Sequence, residues 1–260
     1  GMSIIRAAGI GALAVPPKNL DKAAMATFRM KLRAHGIDMN LWGVDGTKSV
    51  EHLFWEVYVQ RGSLLIGLDN PGAKMLKRVT RLVKVKVTAE IFGVMHTLFS
   101  RMQFLHDRQA VERKQVPLRR LKWTTAQAEL PPEAVYSAEV CEHAEDWRWA
   151  ATRCLEERLG LPEKWQKAFL MEDKSAHAYK TEDNVISDGY PGLNTMYCIH
   201  EATFRIRHPD HPDVMCLGLP VGQEFATTEG DFNFDKQDQE FGLPIGTQLN
   251  IWAWRRDETS

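Results

Sequence analysis

At 260 residues the chain exceeds the commonest single-domain size of roughly 100–150 residues, so one large domain with an added subdomain is expected. Hydrophobic residues make up 44% and charged residues 26%, ordinary globular usage that leaves little room for extended disorder. A formal net charge of −1 provides no global field for nucleic acid or anionic lipid, so neither is an expected partner.

Cys141, Cys154, Cys198 and Cys216 are widely spaced and form no Cys-x-x-Cys pair, which argues against a zinc ribbon or a secreted disulfide framework. The Ile4–Val15 stretch is broken by Arg6 and by glycines and makes a poor signal peptide. No run approaches the ~18 apolar residues of a membrane span. The expectation is a cytoplasmic or otherwise reducing compartment.

In chain order, Asn19 precedes Leu20, Ala24, Phe28 and Leu32, four apart, and Gly36 follows, which predicts a capped amphipathic helix. Val50, Leu53, Phe54 and Val57 mark a second helix ended by Gly62. Residues 1–62 therefore read as a helical N-terminal extension, and 63–260 as the main domain, with the Asp69-Asn70-Pro71-Gly72 turn close to the boundary. From Val83 to Ile91 apolar residues alternate with Lys84, Lys86, Thr88 and Glu90, the period of a half-buried strand. Val94 to Phe104 is expected to pair back on it as a long hairpin. Lys114–Lys122, with Pro117, reads as a basic loop and a short strand.

Glu145 to Leu159 lacks Gly and Pro and sets Trp147, Ala151, Cys154, Leu155 and Leu159 at helical spacing before Gly160 and Pro162. Asp188–Gly192 is a turn, Met196–Arg207 a strand, and Val214–Leu219 and Leu249–Trp254 are further strand candidates. Helices and strands mix without regular alternation, which favours an α+β fold with helices packed on a mixed sheet.

The segment Glu145 to Leu161 resembles the Nudix box, G-x5-E-x7-R-E-U-x-E-E-x-G-U, with U aliphatic. Glu145 falls on its first Glu, Arg153 on its Arg, Leu155 on its first aliphatic, Glu157 on the first Glu of the later pair, and Gly160-Leu161 on its end. Glu139 stands at the opening Gly, Cys154 replaces the Glu after Arg, and Arg158 replaces the second Glu of the pair. The resemblance implies a Nudix-like α/β/α sandwich around a mixed sheet. It also implies a helical face of carboxylates holding Mg²⁺ or Mn²⁺ against a diphosphate. Here that face reads Cys154, Glu157, Arg158, a poor set for a hard cation.

The reading that follows is a protein that binds a nucleoside diphosphate derivative with weak or absent pyrophosphohydrolase activity. Glu157 and Glu145 are the candidate catalytic residues, and Arg113, Arg119 and Arg158 the candidate phosphate contacts. The alternative is an active hydrolase whose metal is held by Glu157, Glu145 and a later acid such as Glu229, one of an acidic set with Glu224, Asp231 and Glu240. A third reading is a non-enzymatic interaction module, with a homodimer among its forms. Trp147 and Trp149 are read as core or lid packing before base stacking, and Trp252 and Trp254 as cover for the sheet. His208–Asp213 is a loop without a third metal ligand, and Cys141 and His143 are too close in sequence to meet on a helix.

Overall fold

The computed structural model describes residues 3–6, 19–44, 47–70, 72, 75–104, 110–125, 142–229 and 248–257. Within them the protein is α+β, a mixed sheet carrying a few helices. Glu139, Cys141, Asp231 and Glu240 lie outside the described residues.

Strands β1 (Ser3–Arg6), β2 (Leu64–Ile66) and β3 (Lys77–Ile91) precede β4 (Val94–Phe104), β5 (Ala110–Gln115) and β6 (Leu118–Arg120). Then come β7 (Leu170–Glu172), β8 (Ala178–Ile186), β9 (Asn194–Ile206), β10 (Phe225–Glu229) and β11 (Gln248–Arg256). The helices are α1 (Lys22–Ala34), α2 (Val50–Phe54), α3 (Trp147–Leu159) and α4 (Glu163–Phe169). Along the sheet the order is β1-β10-β11-β4-β3-β9-β7, with β2 and β6 added to β3, β5 to β4 and β8 to β9.

Its centre is the parallel pair β3 and β9, in register from Lys77 opposite Asn194 to Thr88 opposite Arg205. The alternation read from the sequence holds: Val83, Val85, Val87 and Ala89 are fully buried beneath α3. The expected hairpin is real but short. β3 and β4 pair only from Thr88–Thr97 to Ile91–Val94, around a turn at Phe92 with φ 51°. Further along, β3 takes β6 as its neighbour and β4 takes β5, while β11 runs along the other side of β4 from His96 to Phe104. A strand of 15 residues can exchange partners along its length because each backbone edge bonds one neighbour at a time.

Asp21, not Asn19, caps α1, accepting from the N–H of Ala23 and Ala24. Val214–Leu219 is not a strand. Pro212–Leu217 coils as a 3₁₀ helix that ends at Gly218, φ 76°, where a Cβ would lie 1.9 Å from the Gln223 carbonyl oxygen. Neither β8 nor α4 was signalled by periodicity. All but two residues of β8 are exposed, so it has no apolar alternation to read.

α1 and α2 share a core with Leu65, Leu68, Leu76, Tyr190 and Leu193, separate from the core under α3. After Phe54 the helix widens to a π turn over Trp55–Val59, which carries Glu56 into the protein at 2% exposure. Arg78 Nη2 and Nε donate to Glu56 Oε1 at 2.5 and 2.9 Å, and Ser63 Oγ donates to the same oxygen at 2.6 Å. Oε2 receives Arg120 Nη1 at 2.8 Å and Tyr190 Oη at 3.2 Å, with Lys48 Nζ at 3.8 Å. One carboxylate thus joins a helix to β3, β6 and the turn before β9. Burial alone would raise the Glu56 carboxyl; Arg120, Arg78 and Lys48 overcome that and hold it far below the usual carboxylate range. Burial, reinforced by Arg120, pulls Lys48 down to about 7.

Two outcomes are expected. Glu56→Gln leaves buried cations uncompensated and costs about 3–5 kcal/mol in urea unfolding. The unfolded chain binds more protons at Lys48 between pH 7 and its ordinary value of about 10.4. Stability therefore rises with pH across that window, and Lys48→Met flattens the rise.

Candidate functional site

α3 begins where Asp146 accepts from the Arg148 N–H at 2.7 Å and ends at left-handed Gly160, φ 68°. It lies across β3, β6 and β10, with Ala150, Ala151, Cys154, Leu155 and Leu159 fully buried. Cys154 and Arg158 therefore face the sheet, while Glu157 sits at the helix margin with 22% of its side chain exposed.

The structure brings three of the expected site residues together. Arg119, on β6, donates through Nε to Glu157 Oε2 at 3.0 Å. Arg153 reaches the same oxygen at 3.4 Å and binds Glu145 through two contacts, Nη2 to Oε2 at 2.8 Å and Nε to Oε1 at 3.2 Å. It also donates to the Arg120 carbonyl at 2.8 Å. Glu145 in turn accepts the Lys122 N–H at 3.0 Å, so its loop is strapped to the end of β6. Helix, preceding loop and strand are tied by one alternating row of charges: Arg119, Glu157, Arg153, Glu145.

Other expected residues lie elsewhere. Arg158 is 4% exposed, and its guanidinium carbon stands 5.8 Å from the Trp252 ring. Arg113 is on β5 and donates to Gln103 Oε1 at 3.3 Å. Glu229 ends β10, which pairs with β1 and β11; its side chain is outside the described residues. Glu224 pairs with Arg101 at 2.5 Å. Trp147 is buried, Trp149 is 64% exposed, and Trp252 is buried with Nε1 donating to Thr227 Oγ1 at 2.8 Å.

The donors do not fit a hard divalent cation. Such an ion takes six or more oxygen ligands, and the two carboxylates at hand already neutralise guanidinium groups. Among the described residues no three His, Cys, Asp or Glu side chains group as a metal site. No described helix is long and apolar enough to cross a membrane.

Two further groupings escaped sequence reasoning. A cleft of about 260 Å³ opens between Phe99, Lys114, Arg255, Arg256 and Asp257; Asp257 is held by Thr97 Oγ1 at 2.5 Å and Lys86 Nζ at 3.2 Å. The other is Arg81, on the α3 face of β3. It is 1% exposed, and neither Nε nor Nη1 has a hydrogen-bond partner. Its guanidinium carbon lies 5.9 Å from the Tyr179 ring, a contact worth up to about 2 kcal/mol when desolvated. Withdrawing an ion from water costs several kcal/mol even after relaxation, so that contact leaves most of the cost standing. Next to it, burial first, then Arg81 and His177, lowers His200 to about 4. Alternation puts Arg81 on the face of Val83 and Val85, but nothing in the sequence says what stands opposite its guanidinium.

No family model matches the chain, and no curated protein does. Among solved structures it is similar to a C. elegans Ap4A hydrolase, at 12% identity and a TM-score of 0.26 over 68% of this chain and 80% of that one. The binary complex of a C. elegans Ap4A hydrolase matches at 11% identity and a TM-score of 0.26, over 49% of this chain and 67% of that one. A likeness of this size carries no argument about the fold or its chemistry.

The charge row predicts a local effect. Arg153→Met removes the shared cation of two half-buried carboxylates, and a loss of about 1.5–3 kcal/mol is expected. Hydrogen exchange should accelerate at the Lys122 and Glu145 amides while those of β9 stay protected.

Proposed function

We propose that the chain is a Nudix-like protein that binds a nucleoside diphosphate derivative along the outer face of α3 and does not hydrolyse it efficiently. The observation that carries this reading is the occupation of Glu157 by Arg119 and Arg153 at 3.0 and 3.4 Å. Two guanidinium groups stand where the box resemblance calls for a metal, and planar guanidinium is well suited to phosphate oxygens. Trp149, Arg153 and Glu157 follow at i, i+4 and i+8 and so share one side of the helix. The exposed indole of Trp149 is one turn from Arg153, an arrangement that suits stacking of a base with its phosphates directed to the guanidinium groups.

Isothermal titration calorimetry with ADP-ribose in EDTA provides the test. Saturable binding is expected, weakened roughly tenfold by Trp149→Ala, in keeping with stacking worth ~1–3 kcal/mol. Release of AMP and ribose 5-phosphate should stay at the background level when Mg²⁺ is added. Absence of binding in EDTA sinks the proposal. Mg²⁺-dependent release that Glu157→Gln abolishes replaces it with the hydrolase reading built on Glu157, Glu145 and Glu229.

A further inference from the structure

We infer that Arg81 is the centre of a buried oxyanion site, taking a phosphate or carboxylate group, formed between β3, β8, β9 and the start of α3. The inference stands apart from the proposed function, because it uses none of Arg119, Arg153, Glu157 or Trp149.

A guanidinium remains protonated under all ordinary conditions, so Arg81 carries its charge into the interior. No acceptor reaches its Nε or Nη1. Burial of an uncompensated charge is the case that native structures avoid, and where it occurs a ligand or ion supplies the missing partner. Among the described residues no carboxylate pairs with it; Asp146, whose charge acts on neighbouring His200, accepts from the Arg148 N–H instead. The Tyr179 ring is shared: Arg81 lies against it at 5.9 Å and the His200 ring at 4.9 Å. His200 is fully buried, and its Nδ1 contacts His177 Nε2 at 3.3 Å. In the tautomer whose Nδ1 accepts from His177, the second ring nitrogen, Nε2, bears a hydrogen; in either tautomer that atom has no partner.

A third unspent donor lies in the same layer. Trp123 is 2% exposed with Nε1 unpartnered. It packs in one cluster with Val79 and Cys198 and with Tyr179; Val79 precedes Arg81 by two residues on the same face, and Cys198 is directly opposite Arg81 on β9. Trp147, stacked on His177 at 4.4 Å, closes the layer from α3. Arg81 and His200 thus flank one aromatic ring, each with a buried nitrogen that has no partner, and Trp123 belongs to the cluster on which that ring packs. Cation–π contact with Tyr179 falls well short of neutralising the charge. An oxyanion meets all three needs together: charge, acceptor capacity and small size.

Calorimetric titration of the full chain with sodium phosphate, and separately with sodium acetate, at ionic strength held constant with chloride, distinguishes the two sources of the oxyanion. Saturable one-to-one binding of at least one is expected, reduced tenfold or more in Arg81→Leu, with Tm raised by the same anion in the wild type only. A weaker reduction is expected for His200→Phe. Phosphate raises Tm in many proteins by exclusion from the surface, so an equal rise in wild type and Arg81→Leu overturns the inference, as does the absence of saturable heat with both anions. Should Arg81→Leu fail to fold, Arg81→Lys and NMR line broadening of phosphate and of acetate on the wild type decide it: saturable broadening of either anion, weakened in Arg81→Lys, supports the site, and the absence of broadening with both refutes it.

Discussion

The Glu56 carboxylate is the constraint on which the arrangement of this protein turns. It is 2% exposed, yet it receives Arg78, Arg120, Ser63 and Tyr190. A buried ion pair adds little stability relative to apolar residues of the same shape, but removing one partner is expensive. What such a network supplies is a particular geometry: α2 can approach β3 only in the position that puts Glu56 between Arg78 and Arg120. The hydrophobic contacts of Phe28, Leu53, Val57 and Tyr190 then close around that position. The wide π turn at Trp55–Val59 follows from the same requirement, since an extra residue in the turn re-aims a side chain.

The α3 side of the sheet is organised by a second row of charges, looser and nearer to solvent. Arg153 is the shared element, bridging Glu145 to Glu157 and reaching the Arg120 carbonyl. Through Arg120 the two networks meet: its backbone oxygen serves α3 while its side chain serves Glu56. Displacement of β6 would disturb both at once. The short β6, three residues long, is thereby held more firmly than its backbone bonds to β3 alone would allow.

The contrast between Arg78 and Arg81, three residues apart on one strand, shows how local pairing decides what a buried charge does. Both are nearly inaccessible. Arg78 faces the side where α2 brings a carboxylate, and its charge is consumed by structure. Arg81 faces the aromatic side, where Tyr179, His200 and Trp123 offer π faces and N–H groups. Alternation along the strand separates the two by face, and it is the partners on each face that make one a strut and leave the other with binding capacity.

Periodicity was enough to place much of the frame. Alternating valines announced β3, the 3.6-residue pattern with its end signals announced α1 and α3, and the box resemblance singled out Glu145, Arg153 and Glu157 without pairing them. Those features are local, determined by neighbours along the chain. Element identity failed where the local signal was ambiguous: Val214–Leu219 has the composition of a strand, yet Pro212 and Gly218 impose a coil, and exposed β8 is placed by its bonds to β9, the Lys77–Asp183 pair and the packing of Tyr179. Which guanidinium would meet which carboxylate depended on the packing of α2 and α3 in their separate cores. Arg119 with Glu157, Arg78 with Glu56, and Arg81 against the Tyr179 ring are products of that tertiary contact, because a side chain's charge is written in the sequence but its partner is chosen by distance in space.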